Sequence, residues 1–449
     1  MSTTGREKFP DVVDGLPDLS GLKSIQRVHA RRISSGLGGE IRAGDTGPAL
    51  ATIFVPPPSP NPLKPNYGNR SKRKKAKSLL QKCKKVALKH TWVTPLAMLI
   101  AILLSYAVHP TEANPMHAFI FMSYAVPTDP GTAPDEITKY GKGLKDITFV
   151  IFYMVVLSFS REFIMQRILR PLACRSIMLK SRAKQSRFME QAYTAIYFFF
   201  LGPFGLYVMS RTPVWYFNIR GMYEDHPHRA LNGDFKFYYL FQAAYWAQQF
   251  VVLCLGLEKP RKDFKELVAH HVITLILIIG SYRFHFTHMG IGVFITHDIS
   301  DFFFATSKTL HYLDHPLVGP YFGFFILVWI YMRHYLNLCI LKSEFFEFKT
   351  VGPYGMDWAG EQFKGTLFHV CSTTLLAGLQ ALNLFWLFWI LRIAYKFVTT
   401  DELGDERSDD DEDEYAEEQR LDELEKLAIS GIPGETVLSA EKTVDRKKI

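Results

Sequence analysis

Between residues 91 and 398 the chain alternates long apolar runs with short polar loops, and polar sequence lies on both sides of that block. A bilayer core of ~30 Å takes about 20 helical residues at ~1.5 Å each. Eight runs meet or approach that length: 91–108, 147–165, 188–209, 237–257, 267–284, 291–313, 318–341 and 367–398. Gly202 and Pro203 predict a kink or break in the third. Segment 116–126 is apolar but too short to cross, which suits a re-entrant or interfacial piece. The pattern predicts an all-α integral membrane protein of about eight transmembrane helices with disordered polar termini.

Charge adds the orientation. A basic run precedes the first span (Arg70, Lys72 to Lys75, Lys77, Lys82, Lys84, Lys85, Lys89), and basic loops follow the second and fourth. With alternating spans these three lie on one side, which the excess of Lys and Arg assigns to the cytosol. An even number of spans then leaves both termini cytosolic, and the sequon at Asn69 unglycosylated. The net charge of +8 averages this basic side with an acidic tail. Lysines that mark topology and meet anionic lipid account for the basic run, so nucleic acid is not an expected partner. Segment 1–60, rich in Pro, Gly and Ser, has no apolar core of a cleavable signal. Cys83, Cys174, Cys254, Cys339 and Cys371 have neither disulfide-framework nor zinc spacing, so no metal site is expected. The organisation reads as a disordered basic leader (1–89), two helices with a basic loop (90–182), a helical domain (183–398) and an acidic tail (399–449).

Ionisable side chains in a span commonly cost ~2.5–3.5 kcal/mol each and mark cavities or partners. They concentrate in two neighbouring spans: His270 and His271 open the fifth, and His297, Asp298, Asp301, Lys308 and His311 lie along the sixth. His297 and Asp301 are four apart and Asp298 and Asp301 three apart, so helical spacing gathers them on one wet stripe. His270 lies five residues from cytosolic Lys265, roughly 7 Å into the membrane, and Asp301 lies near its middle. Arg333 and His334 in the seventh span are in reach of the same cavity. Tyr238, Tyr239, Gln242, Trp246 and Gln249 repeat at helical spacing on the fourth, where interhelical packing and hydrogen bonding is the plainer role.

The stretch His270-His271-Val272-Ile273-Thr274, then Ser281-Tyr282, then His297-Asp298-Ile299-Ser300-Asp301, then Lys308, resembles the Lag motif of ceramide synthases. The flanks agree: a run from Lys236 to Trp246, then Glu258 and Arg261-Lys262-Asp263. The likeness covers roughly residues 90–398 and is greatest to fungal members; the stretch between Val108 and Asp146 is too short for the homeobox-like insert of some animal versions. It implies a TLC-domain helical barrel in the endoplasmic reticulum membrane. There a fatty acyl group would pass from acyl-CoA to the amine of a sphingoid base. Acyl-CoA is a substrate, and no cofactor is implied.

On that resemblance, His270 is the expected attacking imidazole or general base, with His271 as understudy. Asp298 and Asp301 would orient an imidazolium or bind the substrate ammonium. His297, Lys308, Trp246 and Arg333 are candidate substrate contacts, with His297 and Lys308 also available to an oxyanion or to the aspartates; Lys308 is the expected ion-pair partner of Asp301. Lys259, Arg261, Lys262 and Lys265 stand where they can meet CoA phosphates. The loop before the last span, roughly 342–366, sets acyl-chain length in the family. Fungal members also act with a small single-span accessory subunit, and a homodimer is a further expected form. Ser408, followed by acids, fits an acidophilic kinase such as casein kinase 2, and Arg446-Lys447 faintly resembles a dibasic retrieval signal.

Two enzyme rivals fail on their histidines. Membrane di-iron desaturases need about eight in HxxxH and HxxHH boxes, and this chain offers one HxxxH (His311, His315), one HxxH (His285, His288) and no HxxHH. Elongases also need HxxHH, and Leu267 stands at its first position. A non-catalytic TLC-domain protein of lipid homeostasis or protein translocation is the alternative outside enzymes.

Overall fold

The computed structural model describes residues 90–127, 138–176, 182–258 and 262–400, with the backbone alone at 182 and 183. The leader, the tail with Ser408, Lys259 and Arg261 lie outside the described residues.

Each apolar run forms a helix. In chain order these are α1 (Val93–Val108), the short α2 (His117–Ile120), α3 (Lys145–Phe163), α4 (Arg170–Arg175), α5 (Arg182–Ser210), α6 (Gly233–Cys254), α7 (Phe264–Arg283), α8 (Thr287–Tyr312), α9 (Val318–Trp329), α10 (Asn337–Phe346) and α11 (Thr366–Thr400). Among the described residues, five helical stretches are both long and apolar enough to cross a membrane: Lys145–Arg175, Lys184–Ser210, Phe264–Arg283, Val318–Phe346 and Thr366–Thr400. α1 is short at 16 residues. α6 and α8 have the length, at 22 and 26 residues, but carry the polar side chains of the chain's interior. The chain is thus a multi-spanning helical membrane protein, and composition alone does not reach eight spans.

Three local features differ from the sequence reading. α5 runs unbroken through Gly202 and Pro203, as membrane helices allow when neighbours and local adjustment absorb a lost hydrogen bond. α3 passes through a π-helical turn, Ile164–Leu169, directly into α4, so Arg167, Arg170 and Arg175 are helical rather than loop residues. Segment 116–126 forms α2 and then extended chain, with Ala125 bridging Tyr140. Lys139–Tyr140 (β1) and Leu231–Asn232 (β2) pair antiparallel, Lys139 opposite Asn232.

Helix contacts close a ring: α6 on α7, α7 on α11, α11 on α10, α10 and α9 on α8, α8 on α5, and α5 back on α6, with α1 and α3 outside it. Glycine makes the closest approach possible. A Cβ on Gly290 of α8 would come within 2.1 Å of the Tyr239 hydroxyl, so only a bare Cα leaves that ring room between α6 and α8.

The end of the ring opposite the histidine pair is pinned by a buried ion pair. Lys236, at 0% exposure, places Nζ 2.7 Å from Asp146 Oδ1, and also donates to the carbonyls of Ser123 (2.9 Å) and Gly141 (2.8 Å). Asp146 Oδ2 accepts from the Gly143 amide (2.9 Å) and the Tyr282 hydroxyl (2.8 Å). One ion pair thus ties the 123–146 segment to α6 and α7. At the same end His285 and His226 lie beyond the helix ends, and burial pushes them down to about 4 and about 3.

Breaking a buried pair from one side strands the other charge, at about 3–5 kcal/mol. Lys236→Met should therefore lower the midpoint of thermal unfolding of the detergent-purified protein sharply. Adding Asp146→Asn should return part of that loss, and a double variant no better than the single one would rule out the pair as the cause.

Candidate active site

α7, α8, α6 and α11 enclose a cavity of about 370 Å³. Its polar end holds His270, His297 and Trp246; its walls are apolar, from Ile276, Leu277 and Ile278 of α7 through Met289, Val293 and Phe294 of α8 to Leu375, Leu376 and Leu379 of α11. From His270 to Phe284, both lining residues, is fourteen helical residues, roughly 21 Å.

The two histidines of the pair are not equivalent. His270 lines the cavity, wedged between Trp246 (ring centroids 5.7 Å) and Trp386 (5.2 Å), and its Nδ1 has no hydrogen-bond partner among the described residues. His271, rotated by one residue, is not among the cavity's lining; its Nδ1 donates to the Leu267 carbonyl (2.8 Å) and its ring stacks on Phe250. Among the described residues Trp246 Nε1 is also without a partner.

The stripe expected on α8 splits between two neighbours. Asp298, 1% exposed, turns to α6, accepting from the Tyr238 hydroxyl (2.9 Å) and from Gln242. The polar residues of the fourth span therefore hold a carboxylate as well as packing. Asp301 turns the other way and pairs with Arg333. Arg333 also donates through Nε to Ser300 (2.6 Å) and through Nη1 to Asn383 (3.1 Å), while Trp329 lies under its guanidinium at 4.2 Å. This corrects the expected Lys308–Asp301 pair: Arg333 takes that place, and Lys308 Nζ sits 4.8 Å from the centre of the Phe304 ring. Seven residues of helix separate Lys308 from Asp301, roughly 10 Å, whereas Arg333 comes in level from the adjacent helix.

Among the described residues no hydrogen bond joins either aspartate to His270; the route from Asp301 to a cavity histidine runs through Arg333 and Asn383 to His297 (Asn383 Nδ2 to His297 Nε2, 3.4 Å). His297 Nδ1 donates to the Val293 carbonyl (2.8 Å), so the neutral ring carries its proton there and a lone pair on Nε2. His334, next to Arg333, meets Gln380 (2.8 Å), which in turn accepts from Asn337 (2.8 Å).

Sequence reasoning missed the last helix. Gln380, Asn383 and Trp386 are three apart and present one face inward, each holding a group of the site; Trp386 also donates to Asp263 Oδ2 (3.2 Å) at the start of α7. An amide pair at three-residue spacing inside an otherwise apolar run was the available signal. Of the candidate CoA contacts, Lys262 and Lys265 lie exposed at the start of α7, before His270. His285 with His288 and His311 with His315 flank opposite ends of α8, so they do not form one metal-binding group.

Known proteins bear on this arrangement in two ways. The TLC domain family model matches residues 187–392. The chain is similar to the sphingosine N-acyltransferase-like protein FUM17 of Gibberella moniliformis, at 51% identity over 73% of this chain and 85% of that one. It is similar also to the sphingosine N-acyltransferase lac1 of Schizosaccharomyces pombe (45%; 78% and 90%) and to ceramide synthase LAG1 of Saccharomyces cerevisiae (41%; 89% and 98%).

Arg333→Met should strand Asp301 and destabilise the protein by about 3–5 kcal/mol, read as a lower unfolding midpoint in detergent. Arg333→Lys keeps the charge but not the fork that meets three acceptors, and should fall between the two. A lysine variant as stable as wild type would show that charge alone suffices.

Proposed function

The chain belongs to the sphingosine N-acyltransferase (ceramide synthase) family, and on that premise we propose that it joins the fatty acyl group of acyl-CoA to a sphingoid-base amine at the polar end of this cavity. The observation that carries the reading is a long apolar cavity with two imidazoles at one end. An acyl chain fills the apolar length, and its thioester then stands beside His270.

A thioester is already activated, so the protein has two tasks: to take a proton from the substrate ammonium and to steady the oxyanion. The freed amine attacks the thioester carbon, and the tetrahedral intermediate collapses to the amide as its nitrogen gives a second proton to the departing CoA thiolate; the first proton passes from the base to solvent. We assign His270 as the imidazole at the reacting carbon, either as proton acceptor or as an acyl carrier that the amine then displaces. Trp246 Nε1, unpartnered beside His270, is the oxyanion donor in this scheme. His297 gives up that role because its N–H is committed to Val293, and Lys308 because it is not among the cavity's lining. Asp298 and Asp301 act through the residues they hold rather than on the substrate.

Lys262 and Lys265, with Lys259 and Arg261, meet the CoA phosphates at the cytosolic mouth. The same proposal has the chain in the endoplasmic reticulum membrane with both termini in the cytosol. A small single-span accessory subunit and a homodimer belong to the same proposal.

Membranes lacking their own ceramide synthases and expressing wild type should convert labelled sphingoid base and acyl-CoA into ceramide, and His270→Ala should lower the rate by at least about 100-fold at equal expression. Label retained on the protein when acyl-CoA is given without base would identify the acyl carrier. Wild type that makes no amide, even with an accessory subunit supplied, would sink the reading. Gly280 lines the cavity and has open space around its Cα; it lies ten residues beyond His270, roughly 15 Å. Gly280→Phe should therefore shift the products to shorter acyl chains, and an unchanged chain-length profile would place the acyl group elsewhere.

A further inference from the structure

Two imidazoles line the polar end of the cavity, and the scheme above gives a task to one. The other, His297, is held in a single tautomer by groups from two helices. Its Nδ1–H is spent on the Val293 carbonyl at 2.8 Å. Its Nε2 faces the Asn383 side-chain amide at 3.4 Å. That amide is not free to rotate, because Arg333 Nη1 donates to Asn383 Oδ1 at 3.1 Å. The oxygen must face the guanidinium, which has only donors, so the NH₂ group must face His297. Arg333 is itself fixed by Ser300 and Asp301.

We propose that Asn383 is a positioning residue that keeps the Nε2 lone pair of His297 unprotonated in the cavity, and that His297 is thereby the general base that accepts the proton of the substrate ammonium. At 3.4 Å the Asn383 contact lies at the outer limit of a hydrogen bond, so it orients the ring and leaves the lone pair available to an incoming N–H. One proton moves from the ammonium nitrogen to Nε2 and on to solvent, the nitrogen pair attacks the thioester carbon, and as the carbon–sulfur bond breaks the nitrogen gives its second proton to the CoA thiolate. His270 is left at the reacting carbon. The inference rests on the acyl-transfer reading, and adds to it a division of labour between the two imidazoles. The charged and titratable groups around His297 are Arg333 from the π-helical turn Ile330–Leu336 that joins α9 to α10, His270 from α7, Asp298 and Asp301 on α8, and Tyr239 from α6.

Asn383→Asp tests it in the full chain in membranes. The new carboxylate still accepts from Arg333 but offers His297 an acceptor, so the ring proton is drawn to Nε2. The expected result is a fall in kcat of about 100-fold or more, by analogy with wrong-tautomer variants of catalytic histidines, with KM for acyl-CoA within about twofold of wild type. A carboxylate beside the ring favours its protonated form, so the acid limb of the pH profile should also move to higher pH. Asn383→Leu, which removes both polar atoms, should lose kcat without moving that limb upward, and it stands in should the Asp variant fail to accumulate. A kcat within threefold of wild type in either variant, or a loss carried by KM, overturns the proposal. Wild type that makes no amide at all would instead fail the acyl-transfer reading itself.

Discussion

A guanidinium in the middle of a membrane needs acceptors for the N–H groups it presents, and Arg333 finds them on two helices. It meets Ser300 and Asp301 of α8 and Asn383 of α11, with Trp329 beneath it. A buried charge without partners costs several kcal/mol, so the helices that supply those partners cannot move apart independently. The register of α8 against the Val318–Phe346 stretch and α11 follows from that one side chain. So does the direction in which Asp301 faces, which is away from the substrate cavity.

With the charges drawn to one side, the cavity itself is left nearly apolar. Its hydroxyls are mostly occupied by other protein groups: Tyr239 with Ser281, and Ser372 with Glu344. The cavity presents hydrocarbon over most of its length, and its polar groups gather at the end where His270, His297 and Trp246 stand. At the opposite end of the helices, outside the cavity's lining, stands a second buried ion pair, Lys236 with Asp146, satisfied by backbone carbonyls, an amide and a tyrosine hydroxyl. The two ion pairs divide the work: one shapes the reacting end, the other anchors the loops.

The Lag-type run carried the family, the membrane class and the neighbourhood of the site, because its residues are local and their spacing is visible. Helical periodicity proved less able to say which neighbour each polar residue faces. Asp298 and Asp301 are three apart, close enough to be read as one stripe, yet they turn to α6 and to the Arg333 helix respectively. Lys308 was two turns along the same helix and looked a natural partner for Asp301; Arg333 lies 32 residues away in the chain and in fact holds it.

What the sequence determined by itself was where apolar length exists, where charge interrupts it and which histidines lie near one mouth of the membrane. These are properties of single segments, and hydrophobic transfer and 100° per residue are enough to read them. What only the tertiary structure decided was the difference between His270 and His271, the tautomer of His297 and the part played by Gln380, Asn383 and Trp386 of the last helix. Each of those depends on an atom brought in from a distant segment. A hydrogen bond is made or lost within a few tenths of an ångström, and only the closed ring of helices sets distances on that scale.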